Sequence, residues 1–215
     1  MRNRTLTAAA TAAGLALALS ACTSGDPDPA PTADDTAVTS DDGLEGTAGN
    51  QGWMCNYVSP TAIELANGSA PGTTRMLVTE DTEDSWVCEV LVGGKGEQEP
   101  VIELSIRLGE QAREQARDRA EAADGVEPGP DHLGVSFVSP GLVTGLTMCK
   151  DPQSTDVADK IPYALVAESL GQTDEETTKK LQTALTETAK GLDQSVGCSP
   201  KLALKEDAAA QTDGR

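Results

Sequence analysis

One histidine and five aromatic side chains in 215 residues, and 16 Lys and Arg against 35 Asp and Glu, are the first limits on what this chain can do. A lone His132 rules out zinc sites built from several histidines, and it leaves any Ser-His-Asp arrangement resting on that one residue. His132 stands in the loop-like stretch "PGPDHLG" near Asp131, Ser136 and Ser139, and no Gly-x-Ser-x-Gly elbow accompanies it. The formal charge of −19 excludes nucleic acid as a partner. "GGKG" at 93–96 lacks the earlier glycine and the following Ser or Thr of a phosphate-binding loop, so it reads as a turn. Nothing in these motifs asks for a metal or another cofactor.

Membrane-length apolar runs are missing too, which sharpens the reading of the N-terminus. A basic start (Arg2, Arg4) precedes "AAATAAGLALALSA", shorter than the roughly 20 apolar residues of a span. Residues 1–21 therefore read as an export signal. They end in Leu19-Ser20-Ala21-Cys22, which resembles a bacterial lipobox: small residues admit the processing peptidase and the Cys22 thiol accepts a diacylglycerol. A single acyl chain anchors only marginally, whereas two or more hold firmly. Cys22 is accordingly expected to fix the protein to the outer face of the cell membrane. Removing the signal leaves 14 basic against 35 acidic residues, a formal charge of −21.

Residues 23–52 carry seven acids, no Lys or Arg, and almost nothing to bury. With Cys22 they read as a lipid-anchored acidic tether over 22–52. Thirty such residues have an end-to-end distance of roughly 30 Å and a limit near about 100 Å. Residues 53–200 suit one domain with one core, and "KLALKEDAAAQTDGR" at 201–215 reads as a flexible tail.

The pattern predicts an α+β domain: an antiparallel sheet of about six strands with two to three helices packed on it, in the order helix, three strands, helix, three strands, helix. Ser59-Pro60 opens a short helix that Asn67-Gly68 closes, with Val58 placed to staple Ile63. "TRMLVT" and "SWVCEVLV" read as a hairpin with Trp86, Cys88, Val90 and Val92 on one face. In "VIELSIRL", Ile102, Leu104, Ile106 and Leu108 should point inward. Ala112, Ala116, Ala120 and Ala123 mark the sheet-facing side of the next helix, and its charged side (Glu110/Arg113, Glu114/Arg117) reads as solvated. "LGVSFV", "GLVTGLTMC" and "IPYALVA" follow as strands. A capping box over Thr173–Glu176 then opens a helix with Leu181, Leu185, Ala189, Leu192 and Val196 on one face, ending at Gly197. "YVSP" at Tyr57 and "FVSP" at Phe137 hint at an internal duplication.

Setting Cys22 aside leaves Cys55, Cys88, Cys149 and Cys198, an even set in an exported, oxidising context. Grouping by neighbouring elements favours Cys55–Cys88 and Cys149–Cys198, although four cysteines allow three pairings and nested ones stay open. Loops of about 34 and 50 residues closed this way are worth roughly 4 kcal/mol each in the loop-entropy model. A redox-active pair would more usually show a Cys-x-x-Cys spacing, which is absent.

The lipobox, the acidic tether, a Cys just ahead of a short Gly-closed helix and a second Cys beside a tryptophan together resemble an uncharacterised family of secreted actinobacterial lipoproteins. The likeness covers the lipobox and about Cys55 to Val92, with Trp86-Val87-Cys88 a departure from the expected arrangement. It implies an envelope location and no catalytic residue. Trp53, Tyr57 and Trp86 are the candidate ligand-binding residues, as a stacking platform for a glycan or peptide; packing around the first disulfide is the competing reading. The acidic stretches "EDTED" (Glu80, Asp81, Glu83, Asp84) and "DPQSTDVAD" (Asp151, Asp156, Asp159) lack the EF-hand pattern and read as solvated loops. The expected function is a non-catalytic, membrane-anchored binding module for an envelope protein or small ligand. The alternative is a divergent carboxylate-dependent hydrolase acting on envelope polymers.

Overall fold

The computed structural model describes residues 53–94 and 97–213, so the expected signal, Cys22 and the tether lie outside it. Among the described residues no helix is long and apolar enough to cross a membrane.

Helix α1 (Pro60–Asn67) starts as its sequence dictates: the Ser59 hydroxyl accepts from the Ala62 N–H at 3.2 Å, and Gly68 closes the helix in the left-handed region. Strands β1 (Thr73–Asp81), β2 (Ser85–Gly94) and β3 (Glu97–Leu108) form an antiparallel meander. Helix α2 (Glu110–Glu121) then leads to the two-residue β4 (Glu127–Pro128) and a 3-10 turn at Asp131–Leu133. A second meander follows, β5 (Val135–Ser139), β6 (Leu142–Lys150) and β7 (Lys160–Ser169), before the long α3 (Glu175–Val196). The chain ends with β8 (Cys198–Ser199) and α4 (Pro200–Asp213).

All strands join one antiparallel sheet in the order β1-β2-β3-β7-β6-β5-β4, the two meanders meeting at β3–β7 and β8 pairing with the end of β6. The α+β class therefore holds, with six full strands plus the short β4 and β8, and with four helices rather than two to three among the described residues. On one face of the sheet, Cys88, Val90, Ile102, Leu104, Val143 and Leu165 pack with Ile63 of α1 and Leu181 and Leu185 of α3. Burying a side chain of this size contributes about 1.5–3 kcal/mol. On the other face, Val135, Leu146 and Ala164 pack with Ala112 and Ala116 of α2 and Leu204 of α4. Because helices lie on both faces, β6 is buried along nearly its whole length rather than alternating.

Four details differ from the sequence-based expectations. The N-cap of α3 is Asp174, whose carboxylate accepts from the Thr177 N–H at 2.9 Å; an Asp outcompetes Thr173 as a cap. Those hydrogen bonds from Thr177 hold the Asp174 carboxyl below the ordinary carboxylate range. "YVSP" leads into a helix whereas "FVSP" ends a strand in a turn, so the repeated letters do not mark equivalent structures. The charged side of α2 is not simply solvated: Arg113 and Arg117 reach Glu206 and Asp207 of α4, and Arg117 lies over the Phe137 ring at 5.9 Å.

The largest correction is at the C-terminus, where the expected tail is a helix of 14 residues with Ala203 buried. Its physical reasons are Pro200 at the first helical position, where a missing N–H costs nothing, and a covalent tie two residues upstream at Cys198.

Candidate functional site

Both disulfides are present, Cys55–Cys88 and Cys149–Cys198. Each closes one flank of the C-terminal half of α3, and the two flanks are built differently.

On the first flank a short turn over 54–58 carries Cys55 and Asn56 in left-handed backbone, with φ of 48° and 64°. Paired hydrogen bonds between Met54 and Val58 hold it, at 2.9 and 2.8 Å, together with the bond from Cys55 to β2. Such backbone costs on the order of 1 kcal/mol per non-glycine residue, which this clasp offsets. The turn swings Tyr57 onto α3 at Gly191, where a Cβ would overlap the Tyr57 hydroxyl. Tyr57 and Trp86 pack against the core around Cys55 and Cys88. With Ile106, Thr188 and Leu192 they line a groove of about 350 Å³. Trp53 does not line that groove and is 39% exposed, so the three aromatic candidates do not form one platform.

The opposite flank of α3 borders a larger cleft of about 940 Å³. Its walls are the 3-10 turn (Asp131, His132, Leu133), α3 (Thr186, Ala189, Lys190, Asp193) and the start of α4 (Pro200, Lys201, Leu204), and Thr147 of β6 and Cys198 and Ser199 of β8 complete the lining. None of the five aromatic residues lines it. Ala189, Pro200 and Leu204 give it an aliphatic surface above the buried Leu133, and the charged side chains of the lining, Asp131, Lys190, Asp193 and Lys201, are exposed.

Two polar details define the chemistry here. His132 Nε2 lies 2.9 Å from Thr186 Oγ1, which already donates its proton to the Gln182 carbonyl; Nε2 must therefore be the donor. That bond ties the 3-10 turn to α3. Ser136 donates instead to the Pro130 carbonyl at 3.0 Å, so histidine and serine serve separate partners rather than a triad. The second detail is Thr147, 3% exposed, whose hydroxyl has no hydrogen-bond partner. An unpartnered buried hydroxyl costs about 1–3 kcal/mol.

A row of carboxylates lies elsewhere, on the sheet face that α2 covers in part. Glu89, Glu103 and Glu168 stand side by side across β2, β3 and β7, and Arg119 pairs with Glu168. Burial, then the Glu168 charge, push the Glu103 carboxyl above its ordinary value, against the opposing pull of Arg119 and Arg107. None of the three lines either cleft. The acidic stretches of the sequence remain on exposed loops and strand ends, where Asp151 and Asp156 accept backbone N–H groups of their own loop. Among the described residues no group of three or more His, Cys, Asp or Glu is arranged to hold a metal ion.

Sequence reasoning missed the larger cleft because one of its walls is α4. The signal available was Ser199-Pro200 ahead of "KLALK", the same Ser-Pro start that opens α1. No family model matches this chain, and comparison with curated proteins and with solved structures finds no similar protein.

Proposed function

We propose that this protein is a non-catalytic binding module held at the outer face of the cell membrane by lipid on Cys22, with its ligand seated in the cleft between the 3-10 turn, α3 and α4. The observation that carries the binding role is the cleft itself: about 940 Å³ of mainly aliphatic lining around a buried Thr147 hydroxyl without a partner. Ligand clefts generally combine an apolar wall with a few placed polar groups in this size range. The anchor rests on the lipobox residues, and the acidic 23–52 segment would give the domain reach from the bilayer. The charge of the processed chain argues against nucleic acid as the ligand.

The test is to purify the protein from the native envelope, extract it with organic solvent and identify what is released by mass spectrometry. A compound recovered unaltered at fixed stoichiometry, and lost in Leu204→Trp, supports the reading. Finding only a chemically altered product would overturn the non-catalytic part. In parallel, Cys22→Ala should release the folded protein to the medium, and continued membrane retention would overturn the anchor.

One observation favours a second reading, a carboxylate-dependent hydrolase. Glu103 and Glu168 are directly opposed across β3 and β7, and one is biased toward its protonated form while the other faces Arg119. Two carboxyl groups in unlike environments are what acid–base hydrolysis of a glycosidic bond uses. Hydrolysis of envelope polymers that disappears with Glu103→Gln alone would move the assignment to this pair.

A further inference from the structure

We propose that the ligand of the larger cleft is an uncharged aliphatic amphiphile: a chain lying on Ala189, Pro200 and Leu204, with Leu133 buried beneath, and a single hydrogen-bonding group at Thr147. This deepens the binding reading and rests on it.

The exposed charges of the lining decide against an ion. Asp131 and Asp193 balance Lys190 and Lys201, and two of the four are already committed: Lys190 to Glu187 at 2.8 Å, and Asp193 to the Cys198 N–H at 3.0 Å. An anion would enter against the field of a chain with net charge −19, and a cation would pass two lysines. Either would give up hydration for countercharges that are all exposed to water, where pairing is worth little. No Phe, Tyr or Trp lines the cleft and the His132 ring is tied to Thr186, so the lining favours aliphatic matter over the stacked rings of sugars and bases.

Thr147 supplies the specificity. Its side chain lines the cleft and its hydroxyl lacks a partner within the protein. Rotation about χ1 moves the hydroxyl, methyl and hydrogen of Thr147 round by one staggered position, which brings the hydroxyl to where the methyl stood and lets it meet a ligand group without moving the strand. A neutral head group with a donor or acceptor would satisfy it.

The experiment uses the full-length chain with Cys22→Ala, exported and oxidised, and the uncharged fluorophore N-phenyl-1-naphthylamine. Competitors of matched chain length are 1-monolauroylglycerol, laurate and dodecyltrimethylammonium. The expected result is one saturable site from which the monoglyceride displaces the probe at least tenfold more effectively than either ion. Thr147→Val should weaken the monoglyceride about tenfold and leave the probe within about twofold, the size of one hydrogen bond. Leu204→Trp should abolish binding, and Ala189→Leu does the same from the opposite wall should the first variant fail to fold. Laurate or the cation competing as well as the monoglyceride would overturn the ligand class and leave the cleft standing as a site. Absent saturable binding, or binding indifferent to both filling variants, would overturn the cleft as well.

Discussion

The two flanks of α3 receive the same kind of covalent clasp and end in opposite states. On the Cys55–Cys88 side, Tyr57 and Trp86 fill the space and Gly191 admits the tyrosine ring to the helix backbone. On the Cys149–Cys198 side Tyr163 is buried opposite Thr147 on β7 and does not line the space, and Ala189, Pro200 and Leu204 border a cleft of about 940 Å³ against about 350 Å³. A disulfide fixes where elements meet, whereas large rings determine whether the meeting is filled. With only five aromatic residues in the chain, the composition that makes the core lean also leaves one flank open.

The comparison breaks most severely when the clasps are cut. Cys55→Ser/Cys88→Ser and Cys149→Ser/Cys198→Ser should each cost about 4 kcal/mol, a melting point lower by roughly 10 °C. Probe binding should survive only in the first, because only the second frees the start of α4. Thermal melts paired with the fluorophore titration check both halves of that statement.

A smaller effect tests the filled flank by itself. Gly191→Ala would normally gain up to about 1 kcal/mol in a helix, but the new methyl meets the Tyr57 hydroxyl, so a net loss of about 1–3 kcal/mol is expected. Tyr57→Phe should recover part of that loss in a double-mutant cycle measured by urea unfolding. Additive losses would show that Tyr57 does not press on α3 as described.

On the open flank, Thr147→Val removes an unpartnered hydroxyl and keeps the shape, which should stabilise the ligand-free protein by about 1 kcal/mol. A residue whose removal improves stability while weakening ligand is the mark of a site kept for binding.

The smallest effect lies on neither flank and serves as the control. Glu103 has its folded-state pKa raised, so the protonated form is favoured in the fold and stability falls as pH rises through the titration of this carboxyl. Glu103→Gln should therefore raise the melting point slightly at pH 7 and lose that advantage near pH 3, where glutamates are protonated in both states. Probe binding should be unchanged.

Much of the sheet was legible in the sequence. Alternation in "SWVCEVLV" and "VIELSIRL", and short apolar runs elsewhere, located the six main strands, and Ser59-Pro60 and Asn67-Gly68 bounded α1. Neighbouring elements also pointed to the observed disulfide pairs. What escaped was long-range and physical in origin. The α4 stretch is only weakly amphipathic, and it is held by a bond two residues upstream and by Arg113 and Arg117 of a helix far away in sequence. The strands β4 and β8 are two residues each and exist only because a neighbour offers free backbone groups. The candidate site inherits that limit: aromatic residues near a cysteine are conspicuous in a sequence, whereas a cavity is a place where no side chain reaches.

The most direct test of the open-flank account is to follow methyl chemical shifts of the full-length Cys22→Ala protein by NMR while adding N-phenyl-1-naphthylamine. Saturable shifts at Leu133, Ala189 and Leu204, with Ile106 and Leu192 unmoved, are the predicted result. Shifts confined to Ile106 and Leu192 would place the ligand on the aromatic flank and contradict the account.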